Sequence, residues 1–228
     1  MQRYFSIENF RQAILFGAVM TLFSSPRIFA SAVLPVYYVI PAFALLTLVA
    51  AAVTAWGQCE GMKGAFPQGK TMLYGLVPAF ILLILLSPLK LFWLNPLFYS
   101  ALQETGNVGA LRLGFPESVT TGIALTLWTM SFETFFFQAA AMSFFAKLTK
   151  HIAAALVLSA MLRFFVTWLR IEGIGIESGQ VEILSNAVLM NLLSCLLFMR
   201  YGLPAPMLFI GGLSIYRWAF LWGRWGAS

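Results

Sequence analysis

The sequence contains no aspartate, a single histidine and two cysteines, and charged residues make up only 10% of its 228 positions. Ordinary soluble domains have roughly a quarter of their residues charged, so this composition excludes a protein with the usual water-exposed surface. One histidine and the distant pair Cys59 and Cys195 do not make a metal-ligand pattern. We therefore expect no metal and no other cofactor, and we interpret both cysteines as small apolar residues.

Known catalytic and nucleotide-binding motifs are also missing. The zinc-protease pattern H-E-x-x-H, the G-x-S-x-G pattern, a Walker loop and G-x-G-x-x-G do not occur. The net charge of +6 comes from basic residues scattered singly along the chain, without the stripe or cluster that binds nucleic acid. We expect no nucleic-acid partner.

Apolar residues dominate the chain instead, at 61%, and include 22 phenylalanines. They fall in runs of roughly 20 residues, the length at which an α-helix crosses the hydrocarbon layer of a bilayer. We predict an all-α, polytopic transmembrane helical bundle with the lipid bilayer as its solvent. The runs indicate about seven spans, with six or eight as alternatives.

The predicted span limits are residues 12–23, 33–56, 72–94, 117–147, 151–170, 182–200 and 203–222. The first span is expected to stop at Ser24-Ser25-Pro26 and the third at Asn95-Pro96, because proline disrupts a helix interior. Residues 1–32 also imitate a secretory signal peptide that ends in Ala30-Ser31-Ala32. We expect a retained first helix, with cleavage as the alternative.

The spans are expected to form one integral membrane domain over residues 1–228. A resemblance of the last four helices to a known family, carried by motifs within them, implies a four-helix core over residues 117–222 and accessory helices within residues 1–116. Residues 57–71 are predicted as a polar, glycine-rich loop, and the amphipathic segment 97–116 favours the membrane interface.

The distribution of basic residues favours a cytoplasmic N-terminus, because Lys and Arg are enriched in cytoplasmic loops. The segments then inside carry Arg3, Arg11, Lys63, Lys70, Lys147, Lys150 and Arg200. The segments then outside carry Arg27, Arg112, Arg170 and Arg224.

Glu133 is the most informative polar residue, because an ionisable side chain in mid-membrane costs at least a few kcal/mol. It lies about midway along the fourth predicted span among aromatic residues, and Arg163 lies near the middle of the fifth. The short turn after Lys147 makes these spans antiparallel neighbours, so Glu133 and Arg163 lie at similar depth. They form either an ion pair that locks two helices together or part of a site that binds or processes a ligand.

Other polar residues of the spans have simpler interpretations. Asn186 and Asn191 are amides of the kind that hydrogen-bond between membrane helices. Lys90 and Arg217 lie near predicted span ends, so their long side chains are expected to snorkel toward the interface. His151 begins the fifth span and is interpreted as interfacial.

Three stretches within the last four helices follow the order and spacing of known motifs. Residues 133–139 align with E-E-x-x-F-R-G, and residues 155–167 align with A-x-x-x-S-x-x-x-F-x-x-x-H. Residues 199–206 look like a turn with Arg, Gly and Ala-Pro that precedes H-x-x-x-N or H-x-x-x-D. In these stretches the chain resembles the CPBP family, the glutamic intramembrane proteases that include the CAAX prenyl endopeptidases and the bacteriocin-processing and abortive-infection proteins.

The departures from the family pattern fall on its catalytic positions. Only the first Glu is retained, as Glu133. The other positions hold, in chain order, Thr134, Gln138, Arg163, Thr167, Ile210 and Ser214. In the family, Glu and His residues activate a water, and nothing here obviously replaces the partners that position that water or stabilise an oxyanion. Arg163 beside Glu133 would also occupy the carboxylate lone pairs that a water needs.

The resemblance implies a degenerate member of the family, a pseudoprotease. We expect a non-catalytic scaffold, regulatory or partner-binding subunit in the plasma (inner) membrane of a bacterium, which holds a lipid or the transmembrane segment of another membrane protein. Its polar core would consist of Gln138, Arg163, Thr167, Asn186 and Asn191. The alternatives are a divergent active glutamic peptidase with Glu133 as general base, and a transporter or channel subunit with Glu133 and Arg163 along a polar path.

Overall fold

The computed structural model describes residues 7–31, 35–59 and 70–225, and these residues are almost entirely helical. The α-helices are α1 (Ile7–Ser31), α2 (Pro35–Cys59), α3 (Lys70–Leu89), α4 (Asn95–Glu104), α5 (Val108–Gly114), α6 (Val119–Trp128), α7 (Ala141–Thr149), α8 (Ile152–Ile174), α9 (Gln180–Tyr201) and α10 (Pro204–Trp225). Three π-helical segments lie between them, at Lys90–Leu94, Thr129–Glu133 and Phe135–Ala140. Outside the described residues lie Arg3, Ala32, Lys63 and most of the predicted loop, and the side chains of Cys59 and Arg224 are likewise not described.

Four helices are long and apolar enough to cross a membrane: Tyr37–Trp56, Leu73–Glu104, Ile152–Ile174 and Gln180–Tyr201. A shorter apolar helix covers Ala13–Phe29. Their outward faces carry large apolar side chains, such as Leu85 at 67% and Phe92 at 81% exposure. Soluble monomers rarely expose so much contiguous apolar surface. The prediction of an all-helical integral membrane protein is confirmed for the described residues, and the count of seven spans stays a prediction.

The predicted stop of the first helix at Ser24-Ser25-Pro26 is wrong, because α1 continues through Pro26. Proline has no N–H, so it leaves the carbonyl of Leu22, four residues earlier, without its helical partner. The Ser25 hydroxyl donates to that carbonyl at 2.8 Å. A serine beside the proline therefore satisfies the backbone, and the helix tolerates the break in its ladder.

The predicted end of the third span at Asn95-Pro96 is also wrong. The π-helical segment Lys90–Leu94 joins α3 directly to α4, and one apolar helix runs over Leu73–Glu104. Asn95 is buried, and its Nδ2 donates to the carbonyl of Tyr216 in α10 at 2.8 Å. This side chain therefore joins two helices instead of marking the end of one.

The fourth predicted span corresponds to a continuous rod that we name the long helix, residues 119–149. It consists of α6, two π-helical segments and α7, and its junction residues Thr134 and Ala140 keep right-handed helical backbone angles. Lys150, with φ of 57°, ends it, and α8 packs back against α7. The predicted antiparallel pair is therefore present, and α8, α9 and α10 match the remaining predicted spans to within a few residues.

Three apolar clusters hold the bundle together. The first, which we call the α1–α2 cluster, includes Phe16, Met20, Leu46, Phe135 and Met142. The second joins α3, α9 and α10 through Ala79, Met190, Phe209 and Leu213. The third packs α4 and Phe115 against the end of α8 through Ala101, Leu102 and Ile171. Segment 97–116 is therefore helical over most of its length and contributes to the packing at the α8–α9 end of the bundle.

Candidate functional site

A cavity of about 230 Å³ lies within the bundle, with residues of the second and third clusters in its wall. A single water needs roughly 10–15 Å³ of such space, so the cavity has room for on the order of ten waters or a ligand of similar size. Two residues of the wall, Val166 and Arg170 of α8, are exposed, and they mark where the cavity reaches the surface. All of the site residues predicted from the sequence line it: Glu133, Gln138, Arg163, Thr167, Asn186 and Asn191.

Each of the three π-helical segments supplies side chains to the cavity wall. The contributions are Lys90 and Leu94 from the first, Thr129 and Glu133 from the second, and Phe137 and Gln138 from the third. A π turn shifts the side-chain register of a helix, and such turns are found frequently at functional sites. Helical periodicity and propensity carry no signal for them, so they were not predicted.

Arg163 is the partner of Glu133, as their similar predicted depth indicated. Its Nη2 lies 3.5 Å from Glu133 Oε2, and its guanidinium carbon lies 4.4 Å from the centroid of the Phe137 ring. The two charged side chains are 24% and 25% exposed, respectively, and both line the cavity. The carboxylate is therefore held by a cation instead of by groups that would orient a water.

A chain of hydrogen bonds fixes the amides on the opposite side of this pair. Gln138 Nε2 donates to Asn191 Oδ1 at 2.9 Å, and Asn191 Nδ2 donates to Ser159 Oγ at 3.3 Å. The Ser159 hydroxyl donates in turn to the carbonyl of Phe137 at 3.0 Å. The chain connects the long helix, α8 and α9, which is the role expected of amides between membrane helices.

Lys90 and Arg217 line the cavity, and the prediction that Lys90 snorkels toward the interface is wrong. Lys90 is only 6% exposed, because the helix continues beyond it to Glu104 and leaves it far from any end. The guanidinium of Arg217 lies over the Phe98 ring, at 5.8 Å from its centroid. Both residues interrupt apolar runs, and this interruption was the signal in the sequence that could have identified them as site residues. Arg170, counted only toward membrane orientation, is a third unpredicted member of the wall.

The wall carries more positive than negative charge. Its cations are Lys90, Arg163, Arg170 and Arg217, and Glu133 is the one carboxylate among the described residues that line it. Glu133 is close enough to interact electrostatically with Arg163, Arg170 and Arg217. Lys90 is repelled by Arg163 and Arg217. The wall therefore carries four basic side chains and one acidic side chain, which favours a negatively charged occupant.

Three buried oxygens of the wall have no hydrogen-bond partner: Thr129 Oγ1, Gln138 Oε1 and Asn186 Oδ1. Thr129 and Gln138 are 6% and 4% exposed, respectively. Buried polar atoms in folded proteins are nearly always paired. These oxygens are available to accept hydrogen bonds from a molecule inside the cavity.

Few described residues could bind a metal ion or act as an acid or base. Among residues 7–31, 35–59 and 70–225, no group of three or more His, Cys, Asp or Glu side chains could hold a metal ion. His151 is exposed at the start of α8, and Cys195 is buried beside Ser159. No family model, curated protein or solved structure matches the chain. The resemblance to the CPBP family stays a prediction.

Proposed function

We propose that the chain is a non-catalytic integral membrane protein that binds a ligand in the cavity of its helical bundle. The observation that carries this proposal is the state of Glu133, which Arg163 holds at 3.5 Å in a wall whose other ionisable residues are cations. A general base needs a free lone pair and partners that position a water. A binding site needs shape and complementary charge, and the cavity offers both.

The resemblance to the CPBP family extends this proposal to a pseudoprotease with a core over residues 117–222. In its support, six of the seven positions that align with the family's catalytic residues line one cavity, although they come from three parts of the chain; the seventh, Thr134, is buried and does not line it. The six are Glu133 and Gln138 in the long helix, Arg163 and Thr167 in α8, and Ile210 and Ser214 in α10. The proposal includes about seven spans, a cytoplasmic N-terminus and a bacterial inner membrane. Its ligand would be a lipid or a transmembrane segment of another protein.

A cleavage assay tests the non-catalytic proposal directly. The full chain, purified and placed in lipid nanodiscs, is incubated with a panel of membrane-anchored and prenylated peptides, and products are measured by mass spectrometry. We expect no cleavage above that of empty nanodiscs, because Arg163, 3.5 Å from Glu133, stabilises the ionised carboxylate and so makes it a weaker general base.

Two matched variants decide the opposite outcome. If the wild-type chain cleaves a peptide, if Glu133→Gln abolishes that cleavage and if Glu117→Gln does not, the chain is a glutamic peptidase and the proposal fails. Glu117 is a suitable control because it is an exposed glutamate that pairs with Arg112 at 3.3 Å on the surface.

A transporter or channel subunit is the second candidate function. Five charged side chains line one cavity within the bundle, and intramembrane charges commonly mark the path of a transported ion. Proteoliposomes that contain the chain would then show anion flux above protein-free liposomes. Flux that disappears in Arg163→Gln and persists in Arg112→Gln would establish this function in place of simple binding.

A further inference from the structure

We propose that the cavity binds the phosphate group of an anionic lipid, with the phosphate among the four cations and the apolar chain leaving beside α8. This inference rests on the proposed binding function and names the chemistry of its ligand. It depends on three features of the wall: the position of its cations, the apolar side at which it opens, and its unpartnered oxygens.

The cations extend from the middle of α8 toward its end. Arg163 and Arg170 lie seven residues apart on this helix, which is about 10 Å at 1.5 Å per residue. Lys90, from the π-helical segment Lys90–Leu94 after α3, and Arg217, from α10, complete the wall. Arginine binds phosphate through paired N–H groups, and the two charged oxygens of a lipid phosphodiester can accept hydrogen bonds from more than one such donor. A lipid phosphate at this position would offset charges that otherwise repel one another.

The opening of the cavity faces the apolar side of α8. Val166 and Arg170 at the opening are four residues apart and therefore lie on one face of the helix. Phe165 and Leu169 beside them are 52% and 49% exposed, respectively, on a helix that is apolar enough to span the membrane. A ligand that enters here comes from lipid, and it meets an apolar residue and a cation together. This combination fits an amphiphile with a negative headgroup.

The interior of the cavity has an apolar part as well. Its wall includes the apolar residues Leu94, Phe98, Phe137, Ile183, Met190 and Leu213. Such a wall is in favourable contact with the start of a hydrocarbon chain. The unpartnered oxygens of Thr129, Gln138 and Asn186 would accept hydrogen bonds from headgroup hydroxyls. Phosphatidylglycerol, which combines a phosphate, hydroxyls and acyl chains, is therefore the appropriate probe.

A thermal-unfolding titration tests the proposal. The full chain in neutral detergent is heated with increasing dioleoyl phosphatidylglycerol, dioleoyl phosphatidylcholine or inorganic phosphate, and Tm is measured by tryptophan fluorescence. A ligand that binds the folded state raises Tm in a concentration-dependent way. We expect phosphatidylglycerol to raise Tm, and phosphatidylcholine and inorganic phosphate to leave it unchanged.

Variants of the wall locate the effect. Arg217→Gln should raise the phosphatidylglycerol concentration at half-maximal stabilisation about tenfold, or about 1.4 kcal/mol, because it removes hydrogen bonds from a charged donor to the phosphate. Arg217→Lys keeps the charge and should change that midpoint by less than about threefold. If Arg217 had only a structural role, the midpoint would not depend on the charge of the residue that replaces it. Arg112→Gln, which removes an exposed arginine outside the cavity, should leave it unchanged. If Arg217→Gln does not fold, Lys90→Gln serves in its place with the same expected shift.

Two outcomes overturn the proposal: equal stabilisation by phosphatidylcholine, or equal loss in Arg112→Gln and Arg217→Gln. Equal stabilisation by inorganic phosphate keeps the phosphate site and overturns its assignment to a lipid. The measurement does not depend on catalysis. Peptide cleavage would therefore refute the non-catalytic proposal alone, and the lipid titration would still decide this one.

Discussion

The α1–α2 cluster and the cavity lie in the same bundle and both leave buried oxygens without partners, but the cluster is apolar and the cavity is lined by charged side chains. In the cluster, Phe16 packs on Phe135 with ring centroids 4.8 Å apart, and the nearby hydroxyls of Ser24 and Ser131 satisfy each other at 2.9 Å. The cavity brings four cations around one carboxylate and leaves three buried oxygens without partners. Packing in the cluster stabilises the folded chain, whereas the repulsion between like charges in the cavity wall destabilises it.

This difference indicates which region the protein needs for folding and which for binding. Natural sequences depart from good local packing and pairing chiefly at functional sites. Substitutions in the α1–α2 cluster should therefore only destabilise the chain. Removing a cation from the cavity should stabilise the empty protein and weaken its ligand. Three substitutions test this contrast.

Gly17→Ala should give the largest loss, about 3 kcal/mol in the free energy of unfolding. A Cβ at residue 17 would overlap Thr47 Oγ1 and lie 3.0 Å from Thr47 Cα, so α1 and α2 would have to separate. Reversible unfolding in mixed detergent measures the change. Gly173→Ala is the matched control, because its Cβ would meet no atom within 4 Å and alanine favours a helix. Equal effects of the two variants would show that α1 and α2 do not pack closely.

Glu133→Gln should cost less, about 2 kcal/mol, because it removes the counter-charge of Arg163 within the cavity. The double variant Glu133→Gln with Arg163→Met should recover much of that loss, since it removes the stranded cation as well. Thermal and chemical unfolding of the wild type, Glu133→Gln, Arg163→Met and the double variant measures the coupling energy between Glu133 and Arg163. Glu117→Gln, from the exposed pair with Arg112, should change stability by less than about 0.5 kcal/mol. A double variant no more stable than Glu133→Gln would mean that Arg163 has another stabilising partner.

The helical bundle follows from the sequence because apolar run length and bilayer thickness together determine membrane helices. The two wrong helix ends were predicted at Pro26 and Pro96. Pro26 follows Ser25, whose hydroxyl donates to the Leu22 carbonyl at 2.8 Å, and Ser87 donates to the Ile84 carbonyl in the same way before Pro88, inside α3. Before Pro96, the Asn95 side chain bonds to the Tyr216 carbonyl of α10. The rule that proline ends a helix does not consider that a serine hydroxyl can replace the backbone N–H that proline lacks. The Ser-Pro pair itself was the local signal that these helices continue.

The candidate site was predictable only where a short turn fixed the relation between two helices. Glu133 and Arg163 flank such a turn, so equal spacing along the chain placed them together. Lys90 begins the π-helical segment after α3 and Arg217 belongs to α10; these elements lie far apart in sequence and meet through tertiary packing. The π-helical segments also shift which side chains face inward. Spacing along the sequence indicates neither the packing of distant helices nor the position of π turns. The excess of basic side chains in the cavity wall was therefore visible only in the structure.

Lys90→Met should have the smallest effect and the opposite sign, a gain of about 1 kcal/mol for the protein without anionic lipid. Lys90 is 6% exposed, and Arg163 and Arg217 repel it, so an apolar side chain of similar length removes a cost and keeps the packing. The same variant should gain less stability from phosphatidylglycerol, which separates a functional charge from a structural one. Lys70→Met, at an exposed position at the start of α3, should change neither quantity. A loss of stability in Lys90→Met would mean that Lys90 helps to hold the bundle together. The contrast between the α1–α2 cluster and the cavity would then fail at Lys90, the most deeply buried of the cavity's cations.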